Sequence, residues 1–167
     1  IELISNDMPI STPSSGVKSI YYGYAQINIM NGNTVIDNIM GIDSTYSYNY
    51  YSVDNLNNTE INKSALFELD NTAPEAIITY PYDGIFINQA VNIKGILFDK
   101  NFKNWKLEYR EDNNVNWTIL TDWQTQIPVD SVLGIFDGST LADGYYIIKL
   151  TAEDLVYNTT IDEISIK

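Results

Sequence analysis

Residues 35–61, VIDNIMGIDSTYSYNYYSVDNLNNTEI, are answered one hundred positions later by residues 135–161, IFDGSTLADGYYIIKLTAEDLVYNTTI. Without a gap, Asp37, Asp43, Tyr46, Asp54, Asn58, Thr59 and Ile61 recur as Asp137, Asp143, Tyr146, Asp154, Asn158, Thr159 and Ile161. Solenoid repeats have periods of roughly 20–50 residues, so a unit this long is a small domain present twice. Inside it the apolar period is two. Tyr146, Ile148, Leu150 and Ala152 alternate with Tyr145, Ile147, Lys149 and Thr151, and Tyr46, Tyr48 and Tyr50 keep the same spacing. Successive side chains of a strand point to opposite faces, so this pattern marks strands with one face buried.

Outward from that stretch the same reading continues. Residues 91–98, 105–109 and 161–166 alternate likewise, and Tyr80-Pro81-Tyr82-Asp83-Gly84, Asp137-Gly138 and Asp143-Gly144 stand between them. Such clusters supply the left-handed backbone of tight turns. Short strands with frequent turns indicate a β-sandwich or barrel. In the second copy the expected strands are A at 75–80, B at 90–98, C at 105–110, a C′/D region at 117–127, E near 132–136, F at 145–152 and G at 160–166. The first copy starts at strand B, because residues 1–7 align with 93–99. Strand C follows at 17–24, F at 46–53 and G at 63–69. Strand A is missing from it. An open sheet edge invites pairing, so an upstream segment or a neighbouring molecule is expected to supply that strand.

Charge and composition narrow the job. Twenty-two acidic residues face nine basic ones, a net charge of −13. Nucleic acid and anionic membrane surfaces both demand clustered Lys and Arg, so neither is an expected partner. The acidity suits divalent cations, or solubility alone. With no Cys and no His there is no disulfide framework, thiol nucleophile, Ser–His triad or zinc site of the usual kind. Hydrophobic content of 44 % belongs to a globular chain. No apolar run reaches the roughly 18 residues that a membrane-spanning helix needs. The chain opens at Ile1 with neither an initiator Met nor a signal-peptide pattern, as a processed product or a piece of something larger does.

Two junctions carry a resemblance. Tyr51-Ser52-Val53-Asp54-Asn55, followed by Leu69-Asp70-Asn71-Thr72-Ala73-Pro74, is similar to the boundary between tandem Ig-like repeats of bacterial and archaeal cell-surface proteins. Leu141-Ala142-Asp143-Gly144-Tyr145-Tyr146, running into Leu150-Thr151-Ala152-Glu153-Asp154, resembles their F-strand signature. The resemblance implies an all-β chain of two tandem Ig-like (Greek-key) β-sandwich domains, residues 1–70 without a strand A of their own and residues 71–167. It also implies an extracellular setting and a non-catalytic structural role in a surface layer, stalk, adhesin or filament, with subunits of the same or a neighbouring surface chain as partners. The alternative, from another class, is a carbohydrate-binding or accessory module of a secreted hydrolase.

The residues themselves suggest where such a module would be built and what it would hold. Tyr146 opens strand F, where its ring can enter the core while its hydroxyl bonds nearby backbone, the tyrosine-corner arrangement. Ile148 and Tyr48 stand where antibody-type domains place a Cys, and Trp105 on strand C is the expected inter-sheet core residue. In an Ig topology Asp70, Asn71, Asp99, Asn101 and Asp154 gather at the junction pole. Asp7, Asp54 and Asn55 mark the matching pole of the first copy. Oxygen ligands of this kind suit calcium, the one cofactor expected; short Asp and Asn side chains equally cap turns. Asn57, Asn62, Asn116 and Asn158 open Asn-x-Ser/Thr sequons, which permit glycans. Trp117 and Trp123 are the aromatic residues left for stacking on a sugar, or else for edge packing. Acidic pairs abound, but none lies in a recognisable catalytic motif.

Overall fold

In the computed structural model the alternating stretches form the strands. The structure describes residues 2–4, 16–23, 28–31, 34–36, 41–129 and 131–167. It separates into two units, Ile1–Asn71 and Thr72–Lys167. Among the described residues no helix is long and apolar enough to cross a membrane. The protein is all-β, two tandem Ig-like sandwiches.

The first unit contains β1 (Glu2–Ile4), β2 (Val17–Gly23), β3 (Asn28–Asn31), β4 (Thr34–Ile36), β5 (Ser44–Asp54) and β6 (Lys63–Leu69). They form a four-stranded sheet in the order β3-β2-β5-β6 and a two-stranded pair, β1-β4. In Ig terms these are C′-C-F-G and B-E. Ile20 of β2 and Tyr48 of β5 are the buried apolar centre. Aromatic rings extend it: Tyr22 stacks near Tyr48 at 6.5 Å, and Phe67 of β6 meets Tyr46 at 5.4 Å and Tyr48 at 6.5 Å.

The second unit contains β7 (Glu75–Tyr80), β8 (Ala90–Phe98), β9 (Phe102–Glu111), β10 (Thr118–Gln124), β11 (Val132–Asp137), β12 (Tyr146–Asp154) and β13 (Thr159–Ile166), with a short 3-10 helix, Gly138–Thr140, between β11 and β12. The sheets run β10-β9-β12-β13 and β11-β8-β7, that is C′-C-F-G and E-B-A. The C′/D region is thereby resolved. β10 pairs with β9 and lies in the larger sheet as C′.

The alternation pays off in the core. Ala76, Ile78, Ile93, Leu97, Leu133 and Phe136 of the smaller sheet meet Trp105, Leu107, Tyr146, Ile148, Leu150, Ala152, Ile164 and Ile166 of the larger one. Each fully buried Ile, Leu or Phe side chain among them contributes about 1.5–3 kcal/mol. Trp105 also satisfies its indole N–H, donating to the Gln126 carbonyl at 2.9 Å, so a large polar-tipped ring sits in the core without an orphaned donor.

β7 gives the second unit something that the described part of the first does not show. Ala76 and Ile78 close the core over β13, where Ile164 and Ile166 are buried. Beyond Pro81 the chain crosses to the larger sheet and lines the C-terminal end of the free edge of β13. Gly84 N donates to Ser165 O at 2.7 Å, Lys167 N to Ile85 O at 2.9 Å and Ile87 N to Lys167 O at 2.6 Å. Two carboxylates finish the seal: Asp83 Oδ1 accepts from Ser165 N at 2.7 Å, and Asp162 Oδ2 from Ile78 N at 2.6 Å. An edge whose N–H groups are already bonded is a poor template for another chain. In the first unit the positions that pair with the F-strand tyrosine and its i+2 neighbour are Phe67 and Ala65. Phe67 is half-buried and Ala65 exposed, where their counterparts Ile166 and Ile164 are covered.

Candidate functional site

The recurring residues build the same two devices in each unit. In the first device, Tyr46 Oη donates to the Ile42 carbonyl at 2.7 Å, and Tyr146 Oη to the Ala142 carbonyl at 2.9 Å. Each is a bond to the residue four positions upstream, which ties the E–F crossing to the start of strand F. The second device closes the F–G turn. Asp154 Oδ1 accepts from Val156 N and Asn158 N, both at 2.9 Å, while Oδ2 accepts from Asn158 Nδ2 at 2.8 Å. Asp54 does the same with Leu56 N at 2.9 Å, Asn58 N at 2.8 Å and Asn58 Nδ2 at 2.7 Å. Asn57 and Tyr157 occupy the same left-handed position, at φ of 66° and 69°. Asn tolerates that conformation and Tyr ordinarily does not. Lys103 Nζ lies 3.7 Å from the Tyr157 ring centroid, a cation–π contact that holds the ring over the turn.

Of the residues singled out for calcium, Asp99, Asn101 and Asp154 lie at this pole of the second unit, and Asp54 and Asn55 at that of the first. Asn101 O accepts from Leu155 N at 2.8 Å, joining the B–C and F–G loops of the second unit, and Asp99 Oδ1 accepts from Asn101 N. In the first unit Asn55 N donates to Gly16 O at 3.1 Å, the matching bond. Asn71 is tied back into its own unit, its N–H to Asp43 Oδ1 at 2.7 Å and its amide to Gly41 O at 3.2 Å; Asp70 directly follows β6. Asp7 lies outside the described residues. A cation at Asp54 or Asp154 would compete with three N–H donors for the carboxylate. Among the described residues no group of three or more acidic side chains is placed to hold a metal ion. Of the sequon residues, Asn57, Asn62 and Asn116 are exposed. Asn158 is half-buried, with its amide nitrogen on Asp154.

Trp117 and Trp123 belong to a different cluster, on the solvent face of the larger sheet of the second unit. At its centre is Glu108 of β9, a carboxylate only 6 % exposed. It receives Lys106 at 2.9 Å and Lys149 at 3.1 Å. Burial pushes the Glu108 carboxyl up, but the hydrogen bonds and charges of these two ammonium groups outweigh it and hold the group below the ordinary range. Each ammonium in turn sits against an indole: Lys149 Nζ is 3.7 Å from the Trp117 ring centroid and Lys106 Nζ 5.2 Å from that of Trp123. Arg110 approaches Trp117 at 5.0 Å and donates through Nη1 to the Asn114 carbonyl at 2.8 Å. Sequence reasoning isolated the two indoles and missed the ions beneath them. The one legible signal was the alternation of Lys106, Glu108 and Arg110 with the inward residues Trp105 and Leu107; the partners on β12 and β10 come from sheet pairing. A cavity of about 490 Å³ lies elsewhere on this unit, lined by Phe86, Ile87, Asn88, Asp143, Gly144 and Lys167.

No protein-family model matches the chain, and no curated protein does. Among solved structures it is similar to the fibronectin(III)-like modules of CbhA from Clostridium thermocellum, at 11 % identity and a TM-score of 0.45, over 93 % of this chain and 80 % of that one. It is also similar to the endo-β-1,4-mannanase from Thermotoga petrophila, at 20 % identity and 0.39, over 59 % of this chain and 20 % of that one. A third likeness is to the FN1–FN3 domains of chicken CNTN1, at 8 % identity and 0.41, over 92 % and 57 %. The strand orders themselves make this chain a pair of tandem β-sandwiches of the Ig-like kind.

Proposed function

We propose that the chain is a non-catalytic structural module of an extracellular surface assembly, such as a surface layer, stalk, adhesin or filament, and that its task is to space and hold its neighbours. One observation carries this reading. The residues that recur at an offset of one hundred and bond in the same way in both units are Tyr46 and Tyr146, Asp54 and Asp154, Asn58 and Asn158. All six build the frame: what the repeat preserves is architecture. Acidic, cysteine-free sandwiches held by packing and turn hydrogen bonds suit a spacer, and glycans at the exposed Asn57, Asn62 and Asn116 suit an outdoor one. Stretching a single molecule between its ends tests it. Two separate unfolding events of domain size support two serial load-bearing units, and one merged event rejects the reading.

The smaller sheet of the first unit adds a finer proposal. It pairs β1 with β4 among the described residues, where the second unit has three strands. A strand supplied by a neighbouring subunit along β1 would complete it as β7 completes the other. Sedimentation velocity across a wide concentration range tests this. Association that an excess of peptide of the sequence of residues 72–81 reverses supports strand supply. A chain that stays monomeric at high concentration and ignores the peptide rejects it.

A further inference from the structure

We propose that the solvent face of β10, β9 and β12 is a docking surface for a neutral polysaccharide chain, a property independent of the spacer role. Trp117 immediately precedes β10 and Trp123 is its last residue but one. At about 3.3 Å per strand residue, six residues separate them by somewhat under 20 Å, since two register shifts shorten the path. That is enough for several sugar rings. Between them Ile119, 56 % exposed, pairs across from Glu108.

What distinguishes this face from ordinary edge packing is that its rings are seated before any ligand arrives. Glu108 holds both ammonium groups, and each ammonium holds an indole. Side chains ordered in advance lose little rotamer freedom on binding, which is the usual cost of stacking a sugar on a surface ring. Trp123 remains 39 % exposed in this arrangement, so part of its ring is available. Trp105, the third indole of the chain, is buried in the core and takes no part.

Charge decides which polymer fits. The molecule carries −13 overall, which repels polyuronates and other polyanions. On the face itself Lys106, Lys149 and Arg110 stand against Glu108 and against Glu163, which lies directly across from Lys149 on β13, so the local charge is nearly balanced and a polyion of either sign gains little from it. An uncharged chain of pyranose rings suits a surface of alternating indole, ammonium and carboxylate: its C–H faces stack on the rings and its hydroxyls both donate and accept.

The test is native electrophoresis of the full chain through gels containing hydroxyethylcellulose, galactomannan or arabinoxylan, with polygalacturonate as the acidic probe, alongside indole fluorescence. Retardation and quenching in at least one neutral gel are expected. Trp123→Ala should weaken binding about tenfold, the order of one lost ring contact, while Trp123→Phe keeps most of it and both variants retain the wild-type circular dichroism. The proposal is overturned by no retardation in any neutral gel, by retardation in polygalacturonate alone, or by undiminished binding of Trp123→Ala. Self-association that Trp123→Ala abolishes, without glycan binding, overturns it too and makes the face a protein contact.

Discussion

Replacing Asp154 by Ala removes the carboxylate that accepts from three donors of the F–G turn, Val156 N, Asn158 N and Asn158 Nδ2, at 2.8–2.9 Å. The Asp154 side chain is 0 % exposed, so water does not take its place while the turn stays closed. A buried donor left without its acceptor costs about 1–3 kcal/mol, and losing a charged partner lies at the upper end. Allowing for partial opening of the turn, we expect a total of about 3–5 kcal/mol. Small domains are stable by about 5–15 kcal/mol, so the variant is left near the edge of folding. At about 4–8 °C per kcal/mol, its midpoint drops by roughly 12–40 °C. Asp54→Ala breaks the same three bonds in a more exposed turn and should cost only about 1–2 kcal/mol. Urea unfolding followed by indole fluorescence separates the two, because Trp105, Trp117 and Trp123 all lie in the second unit. An Asp154→Ala midpoint equal to wild type, or an Asp54→Ala variant that lowers the indole midpoint equally, refutes the assignment of the recurring Asp to turn closure.

Gly95→Ala should destabilise the second unit by about 1–3 kcal/mol, since a Cβ there would lie 2.7 Å from the Ile77 carbonyl oxygen and 2.5 Å from Leu133 Cδ1; an unchanged urea midpoint rejects that packing. The Glu108 carboxyl is held below the ordinary range, so its ion pairs stabilise the fold above the unfolded value of about 4.3 and are lost as the pH falls through the lower folded value. Wild type and Glu108→Gln should therefore differ most near neutral pH and converge in acid, and a difference constant with pH rejects the ion-pair account. Because Asp54 and Asp154 are engaged by N–H donors, millimolar calcium should raise the indole-detected stability by less than about 0.5 kcal/mol. A rise of several times that assigns a cation to Asp99, Asn101 and Asp154.

The corner device was legible, and the turn device as one of two readings, because each closes within four residues. Tyr146 reaches Ala142, and Asp154 reaches Val156 and Asn158, so the groups that meet are already neighbours along the chain. That is why seven recurring residues could be read as one module written twice. The seven strands of the second unit were legible for a related reason, since alternation states which face of a strand is apolar without naming its neighbour. Asp54 and Asp154 show the limit of this. Their chemistry suited a calcium shell or a capped turn, and only coordinates show which N–H groups the carboxylates accept.

Pairing between strands belongs to the tertiary structure. β10 was a C′/D region on paper, and its place in the larger sheet depends on β9, a separate segment whose backbone it must meet in register. The Lys106–Glu108–Lys149 cluster needs β9 and β12 side by side, 41 positions apart between Glu108 and Lys149, and no local pattern encodes that adjacency. The seal of residues 83–87 along β13 is likewise a contact across the whole unit. Sequence determined what closes over a few bonds and which faces seek burial; folding decided which of those faces met, because that choice minimises exposed apolar surface and unpaired backbone over the domain as a whole.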